Sequence, residues 1–274
     1  MAQHETLFQQ RIGALPTVHT DFWSFSIGGA VQHPLILSYA DVLALPHIEI
    51  TCALACAAHK PDSRPLIGQA RWRGVPMQAL LSEVEIAPQA AYAHITAADG
   101  FSSSLPLDLL VQTLLVTGMD DAPLPLEHGA PARLILPGHA GYKMPKWVQR
   151  ISLSADPQPG FWEARGWSET GTAPLIAYFS TPEHLQPVSG MVMLAGKAYA
   201  GSRAVARVEI SVDGGPWMPV DVAPSAPFCQ TTWQIAWTPP APGDYLLRVR
   251  AAAEGDSVSS TDLHAIIVRV TENA

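Results

Sequence analysis

From Thr172 to the end of the sequence, short apolar runs of strand length alternate with turn signals, and this rhythm restricts the fold more than any other feature. Segments 191–195, 205–212, 217–222, 231–238, 245–251 and 265–270 read as strands, because Gly, Pro and Asp cluster between them. Asp213-Gly214-Gly215 follows an alternating run and signals a tight hairpin. Pro239-Pro240-Ala241-Pro242-Gly243 is a loop, since proline lacks the N–H that a ladder needs. Regular short strands of this kind predict an all-β sandwich of immunoglobulin type.

The preceding half has a different texture. Ser38 reads as the cap of a helix running to Leu45, stopped by Pro46. Segments 22–27 and 47–53 read as strands, 75–84 and 106–115 as helices with one apolar face, and 132–137 and 148–153 as strands again. The polar stretch at 168–174 separates the halves. The expected fold class is therefore α+β, a mixed domain over 1–170 followed by the sandwich over 171–274.

Composition narrows the function. With 274 residues and 48 % apolar content the chain can bury two cores, and 25 prolines disfavour a helical bundle. A net charge of −8 argues against nucleic acid, whose binding needs basic faces. No apolar run reaches the roughly 18–20 residues of a membrane span; the longest, 105–119, is interrupted by Pro106, Asp108, Gln112 and Gly118. Cys52, Cys56 and Cys229 cannot all pair within one chain, so at least one thiol is expected free. The first residues have neither a cationic nor an apolar leader region. The expectation is a cytoplasmic chain as written, or a periplasmic one where a leader has been removed.

In so acidic a chain the lysines are informative. Only four occur, and three lie in Cys56-Ala57-Ala58-His59-Lys60 and in Pro137-Gly138-His139-Ala140-Gly141-Tyr142-Lys143-Met144-Pro145-Lys146-Trp147. Cys56 has two readings, a small buried apolar side chain or a thiolate stabilised by a cation or a metal. Cys52, Cys56 and His59 are too few for a structural zinc site. In the second stretch, glycines let backbone N–H groups approach a ligand while Lys143 and Lys146 supply charge suited to a phosphate. The bland alternative is a solvated basic loop. His128 and Arg133 flank a glycine–proline kink, and Arg133 opens an apolar strand, where arginine is seldom buried without a partner. Asp99-Gly100 reads as a turn. Arg11 is uninformative alone, and His19, His33, His47, His94, His184 and His264 show no ligand spacing.

Taken in order, these segments resemble the sulfite oxidase family of molybdopterin-dependent oxidoreductases. The resemblance runs from Leu7-Phe8-Gln9-Gln10-Arg11, through the Cys56 segment and Arg71-Trp72-Arg73-Gly74-Val75-Pro76, to Asp99-Gly100. Its most specific pieces are Pro123 to Arg133 and Pro137 to Trp147, and 202–217 is similar to the family's immunoglobulin-like dimerisation domain. The resemblance implies that Cys56 is the protein thiolate on molybdenum, the remaining sulfurs being the dithiolene of one molybdopterin. It implies that Arg11, Asp99, His128, Arg133, Lys143 and Lys146 hold the pterin and its phosphate, with Phe8, His59 and Gly141 in the same matched segments. The implied reaction is oxygen-atom transfer to or from a small sulfur oxyanion, above all sulfite, with electrons passed to a cytochrome. The implied assembly is a homodimer, and no haem motif is present in this chain.

Around the substrate this sequence departs from the family. The cysteine motif usually runs Cys-Ala-Gly-Asn-Arg-Arg, and Pro61 stands at its last position. Ile12-Gly13 replaces an Asn-His pair, and Trp167 stands where a tyrosine is usual. The substrate cations left are Arg11, Lys60 and Arg203. A non-catalytic, cofactor-free relative serving assembly is the alternative that these departures support.

Overall fold

The computed structural model describes residues 7–58, 64–256 and 264–272. The chain divides into two compact units, Met1–Leu54 with Gly68–Thr172, and Ala55–Ile67 with Ala173–Ala274. The first unit contains two sheets. One has the spatial order Leu35–Ser38, Ser24–Gly29, Val148–Ser154, Tyr92–Ala97 and Ser102–Pro106. Its single parallel contact joins Ser24–Gly29 to Val148–Ser154, and the other pairs are antiparallel. The second sheet runs Ile48–Ala55, Ile67–Pro76, Leu114–Met119 and Ala122–Pro123, with Arg133–Ile135 also on Leu114–Met119.

This unit is mostly β, with fewer helical residues than the sequence led us to expect. Ser38 does cap Tyr39–Ala44, through a capping box in which Asp41 reciprocates. The 75–84 segment is helical only over Met77–Leu81, and Val75 belongs to the strand before it. The 106–115 segment is helical only over Leu107–Leu110, and the chain then enters Leu114–Met119, whose six residues are all buried. A run buried on every side carries no period, so apolar pattern alone does not separate a core strand from a helix. Gly74 sits at a register shift, where any side chain would run into the Leu115 backbone.

Among the described residues of the second unit, every regular element is a strand. One sheet orders Ile176–Thr181, Val192–Tyr199, Thr231–Trp237 and Asp221–Val222. The other orders Pro187–Val188, His264–Val270, Gly243–Ala253, Val205–Val212 and Met218–Pro219. Buried side chains from both sheets, among them Phe179, Leu194, Trp233, Val208, Val249 and Val268, form one core, each contributing about 1.5–3 kcal/mol by leaving water. The expected strand at 217–222 is two short pieces in different sheets, because Pro219 cannot continue a ladder. Asp213 and Gly214 both take positive φ, as the hairpin signal required.

Candidate functional site

Backbone hydrogen bonds draw three distant segments of the first unit together. Leu134 N–H donates to Pro145 O (3.0 Å), Trp147 N–H to Gly129 O (3.1 Å) and Val148 N–H to Ala132 O (3.0 Å). Ala98 N–H donates to Trp147 O at 3.0 Å, which carries the Asp99-Gly100 turn to the same place. Asp99, His128, Arg133 and Lys146 thus lie on neighbouring stretches of backbone. Gly129 separates the two cations: its φ is 116°, and a Cβ there would lie 2.9 Å from Lys146 Cβ and 3.0 Å from Arg133 Cβ. The stems of Arg133 and Lys146 therefore flank bare backbone. Trp147 takes a φ of 52°, a conformation costing a bulky residue about 1–3 kcal/mol. Its indole is fixed by donation to Leu126 O at 2.7 Å, and Lys146 Nζ lies 4.3 Å from its ring centroid.

Arg133 is 4 % exposed. Its Nη1 donates to His128 O (3.0 Å), its Nη2 to Met144 O (3.3 Å), and its guanidinium lies 5.2 Å from the centroid of the Trp72 ring. Nε has no hydrogen-bond partner. Burial pulls the guanidinium down to about 10, with Cys52 acting weakly in the opposite direction. Among the described residues no carboxylate pairs with it. A buried cation in that state is unfavourable by itself, and an anionic ligand supplies both the missing charge and an acceptor for Nε. Lys146 donates to Glu127 O at 3.0 Å. Burial, then the Arg133 and Arg11 charges, pull its ammonium down to about 8 against the support of Asp99 and Glu127.

A lysine with a depressed folded pKa is neutral in the folded chain and charged in the unfolded one between the two values. The folded state then binds fewer protons, and stability rises with pH across that window. For the ligand-free protein, stability is expected to climb between about pH 8 and 10.5. A Lys146→Met variant is expected to be more stable than the parent at pH 7 and to lose that advantage by pH 10. Thermal unfolding of both proteins across this range checks it.

The remaining candidates are placed as follows. Leu7 is buried and packs on Gly68, which fixes the segment leading through half-buried Phe8 to exposed Arg11. Gly141 opens a single 3-10 turn that ends at Lys143. The sequence put both lysines of that loop on an anion, but the structure turns Lys143 inward. Its Nζ is fully buried and donates to Ser104 O (2.7 Å) and Glu163 Oε1 (2.5 Å). Trp167 stacks on Trp162 (4.4 Å between centroids), meets Tyr142 edge-on (5.0 Å), and lines a cavity with Glu163 and Glu169. That surrounding disfavours a dianion.

In the second unit, half-buried Cys56 donates its N–H to Leu66 O at 2.9 Å. Arg203, expected on a substrate anion, is instead paired with Asp256 at 2.5 Å. His59 and Lys60 lie outside the described residues. Sequence reasoning missed Trp72, the ring beside Arg133, and Glu163, the partner of Lys143; neither stands at a local spacing that announces its role.

Residues 12–162 match the family described as Oxidoreductase molybdopterin binding domain. The chain belongs to that family of oxidoreductases, on its sulfite oxidase branch. Such a molybdopterin oxidoreductase is an enzyme, which answers the non-catalytic alternative. Among its relatives, the uncharacterized oxidoreductase YuiH of Bacillus subtilis is 32 % identical over 155 residues, 54 % of this chain and 74 % of that protein. Human mitochondrial sulfite oxidase is 27 % identical over 267 residues, 81 % of this chain and 46 % of that protein. The chain spans about half the length of the mitochondrial sulfite oxidases it matches. The crystal structure of the sulfane dehydrogenase SoxCD from Paracoccus pantotrophus shares the fold, with a TM-score of 0.79 over 90 % of this chain and 71 % of that one, at 22 % identity. The Arg133 and Lys146 cations, with Nε unpartnered beside bare backbone at Gly129, fit the phosphate-bearing molybdopterin of this family. Among the described residues, no helix is long and apolar enough to cross a membrane.

Proposed function

We propose that Arg11, Asp99, His128, Arg133 and Lys146 hold a molybdopterin whose molybdenum takes Cys56 as its protein thiolate. In this reading the enzyme moves an oxygen atom to a small sulfur oxyanion, sulfite first, and passes the two electrons gained to a cytochrome; transfer from such an oxyanion would draw two electrons from that partner instead. The observation that carries it is the buried, carboxylate-free Arg133 beside Lys146. When bound, the cofactor supplies the two-electron oxygen-transfer chemistry. The chain supplies position and field: Arg133 and Lys146 neutralise and orient the anionic end, Trp147 keeps Lys146 in place, and the Cys56 sulfur suits a soft metal. The α+β first unit is then the catalytic one. The second unit is an immunoglobulin-like sandwich that joins two copies of the chain.

Reduction of a neutral S- or N-oxide is the second reading. It is favoured by the pairing of Arg203 with Asp256 and by the two carboxylates beside Trp167, which together leave fewer cations for a dianion.

Protein from a molybdenum-replete host separates the readings. Turnover of sulfite with cytochrome c supports the first, and turnover of sulfoxides with a reduced dye supports the second. Cys56→Ser is expected to abolish the thiolate-to-metal absorption band and to lower turnover by at least about a hundredfold. Parent protein with below about 0.1 molybdenum atom per chain and no pterin fluorescence would overturn the proposal.

A further inference from the structure

In the sheet of the second unit built on Gly243–Ala253, alternation sorts the side chains onto two faces. Val208, Ile210, Leu247 and Val249 enter the core. Glu209, Leu246, Arg248 and Arg250 therefore stand on the opposite face, with Glu209 paired to Arg250 across the ladder. Half-buried Ile267 pairs with Leu246 and joins it there.

The ion pairs of this face are Arg207–Glu209 at 3.7 Å, Arg250–Glu209 at 2.9 Å and Arg269–Asp244 at 2.9 Å. Half-buried Arg248 stands between them on the same strand and, among the described residues, belongs to none. Asp213, near the same strand, accepts the Leu246 N–H at 2.8 Å and makes no ion pair with Arg248. Glu209 already serves two arginines. The face thus carries surplus positive charge, on a chain whose net charge is −8.

Arg250 is also held in place. Its guanidinium lies 4.1 Å from the centroid of the Trp217 ring, and Nε donates to Glu209 at 2.9 Å. That is its one hydrogen bond among the described residues, so the two terminal amino groups of the fork are unspent. A guanidinium stacked on an indole and fixed through Nε has lost much of its rotamer freedom before a ligand arrives. Arginine and tryptophan beside half-buried apolar side chains are the residues on which binding energy concentrates. Surface ion pairs contribute little to folding, so stability alone gives no reason to gather arginine here.

We infer that this sheet face is a docking surface for an acidic segment of a partner protein, whose neighbouring carboxylates bind Arg248 and Arg250 while an apolar side chain rests on Leu246 and Ile267. The apolar floor suits a peptide and has nothing to match in a phosphodiester backbone, which the charge of the whole chain also repels. A second copy related by a two-fold would set these arginines against themselves. The inference does not rest on the cofactor reading.

Fluorescence anisotropy of a dye-labelled Ac-Glu-Glu-Phe-Glu-Glu-amide, titrated with the full chain at low ionic strength, tests it. Saturable binding with a Kd on the order of 100 µM is expected, at least about fivefold weaker in Arg248→Gln and in Trp217→Ala. Arg150→Gln makes the same charge change at an exposed residue of the first unit, and is expected to shift the Kd by less than about twofold. Circular dichroism confirms folding, and Arg248→Gln, which breaks no ion pair, keeps the test open if Trp217→Ala fails to fold. No saturable binding below about 1 mM, equal binding of Ac-Gln-Gln-Phe-Gln-Gln-amide, or an equal loss in Arg150→Gln would each overturn the inference. Tighter binding of a single-stranded oligothymidylate would overturn it in favour of a phosphate polyanion. Sedimentation velocity showing that Arg248→Gln dissociates a dimer of the parent would overturn it in favour of a second copy.

Discussion

An Arg133→Met variant is expected to fold normally and to carry at least about tenfold less molybdopterin than the parent chain. Methionine fills the space of the buried stem, and the substitution removes a cation that no carboxylate among the described residues balances. Two carbonyls, His128 O and Met144 O, lose their donors. Each costs about 1–3 kcal/mol if it stays dry, a penalty offset by the relief of the buried charge. On the ligand side the loss is one-directional. A hydrogen bond to a charged group contributes about 1.5–3 kcal/mol, which alone is tenfold or more in affinity. Arg133→Lys is expected to fall between, because it keeps the charge and loses the fork. Pterin fluorescence and molybdenum content per chain, read beside circular dichroism, decide the matter. A folded Arg133→Met with parental pterin content would remove the central contact of the proposed site.

What the sequence disclosed and withheld divides along physical lines. Arg133 was legible because a cation opening an apolar strand is an anomaly that needs no structure to notice. The glycine–lysine loop was legible for the same reason, but only as a composition. Which lysine faces outward depends on Glu163, which stands 20 positions further on in an irregular segment. No periodicity ties Lys143 to it. Likewise Arg203 reads as an available cation until Asp256 is seen beside it, 53 positions away. Of the second unit's strands, Val205–Val212 and Thr231–Trp237 were read almost to the residue, because a half-buried strand alternates, whereas Ile176–Thr181, which opens with four buried residues, was not read at all. The helix expected over 106–115 ran two residues into the all-buried strand Leu114–Met119, which carries no such alternation. The attachment of Ala55–Ile67 to the second unit is a tertiary fact with no local signature.

The buried ion pair yields the second large effect. Lys143→Met strands Glu163 with two neutral donors, Ser103 Oγ and the Ser104 N–H, and no cation. Breaking a buried pair from one side costs about 3–5 kcal/mol, a fall of about 10 °C in Tm for a unit of this size. Adding Glu163→Gln removes the second charge while keeping the shape, and is expected to restore more than half of the loss, since a neutral pair escapes the desolvation of both ions. The double-mutant cycle isolates the coupling. Pterin content of the double variant then separates the two roles open to Lys143. Full content with recovered stability makes the lysine scaffold, held by Glu163. Recovered stability with lost pterin means that its charge is felt by the cofactor although its ammonium faces a carboxylate.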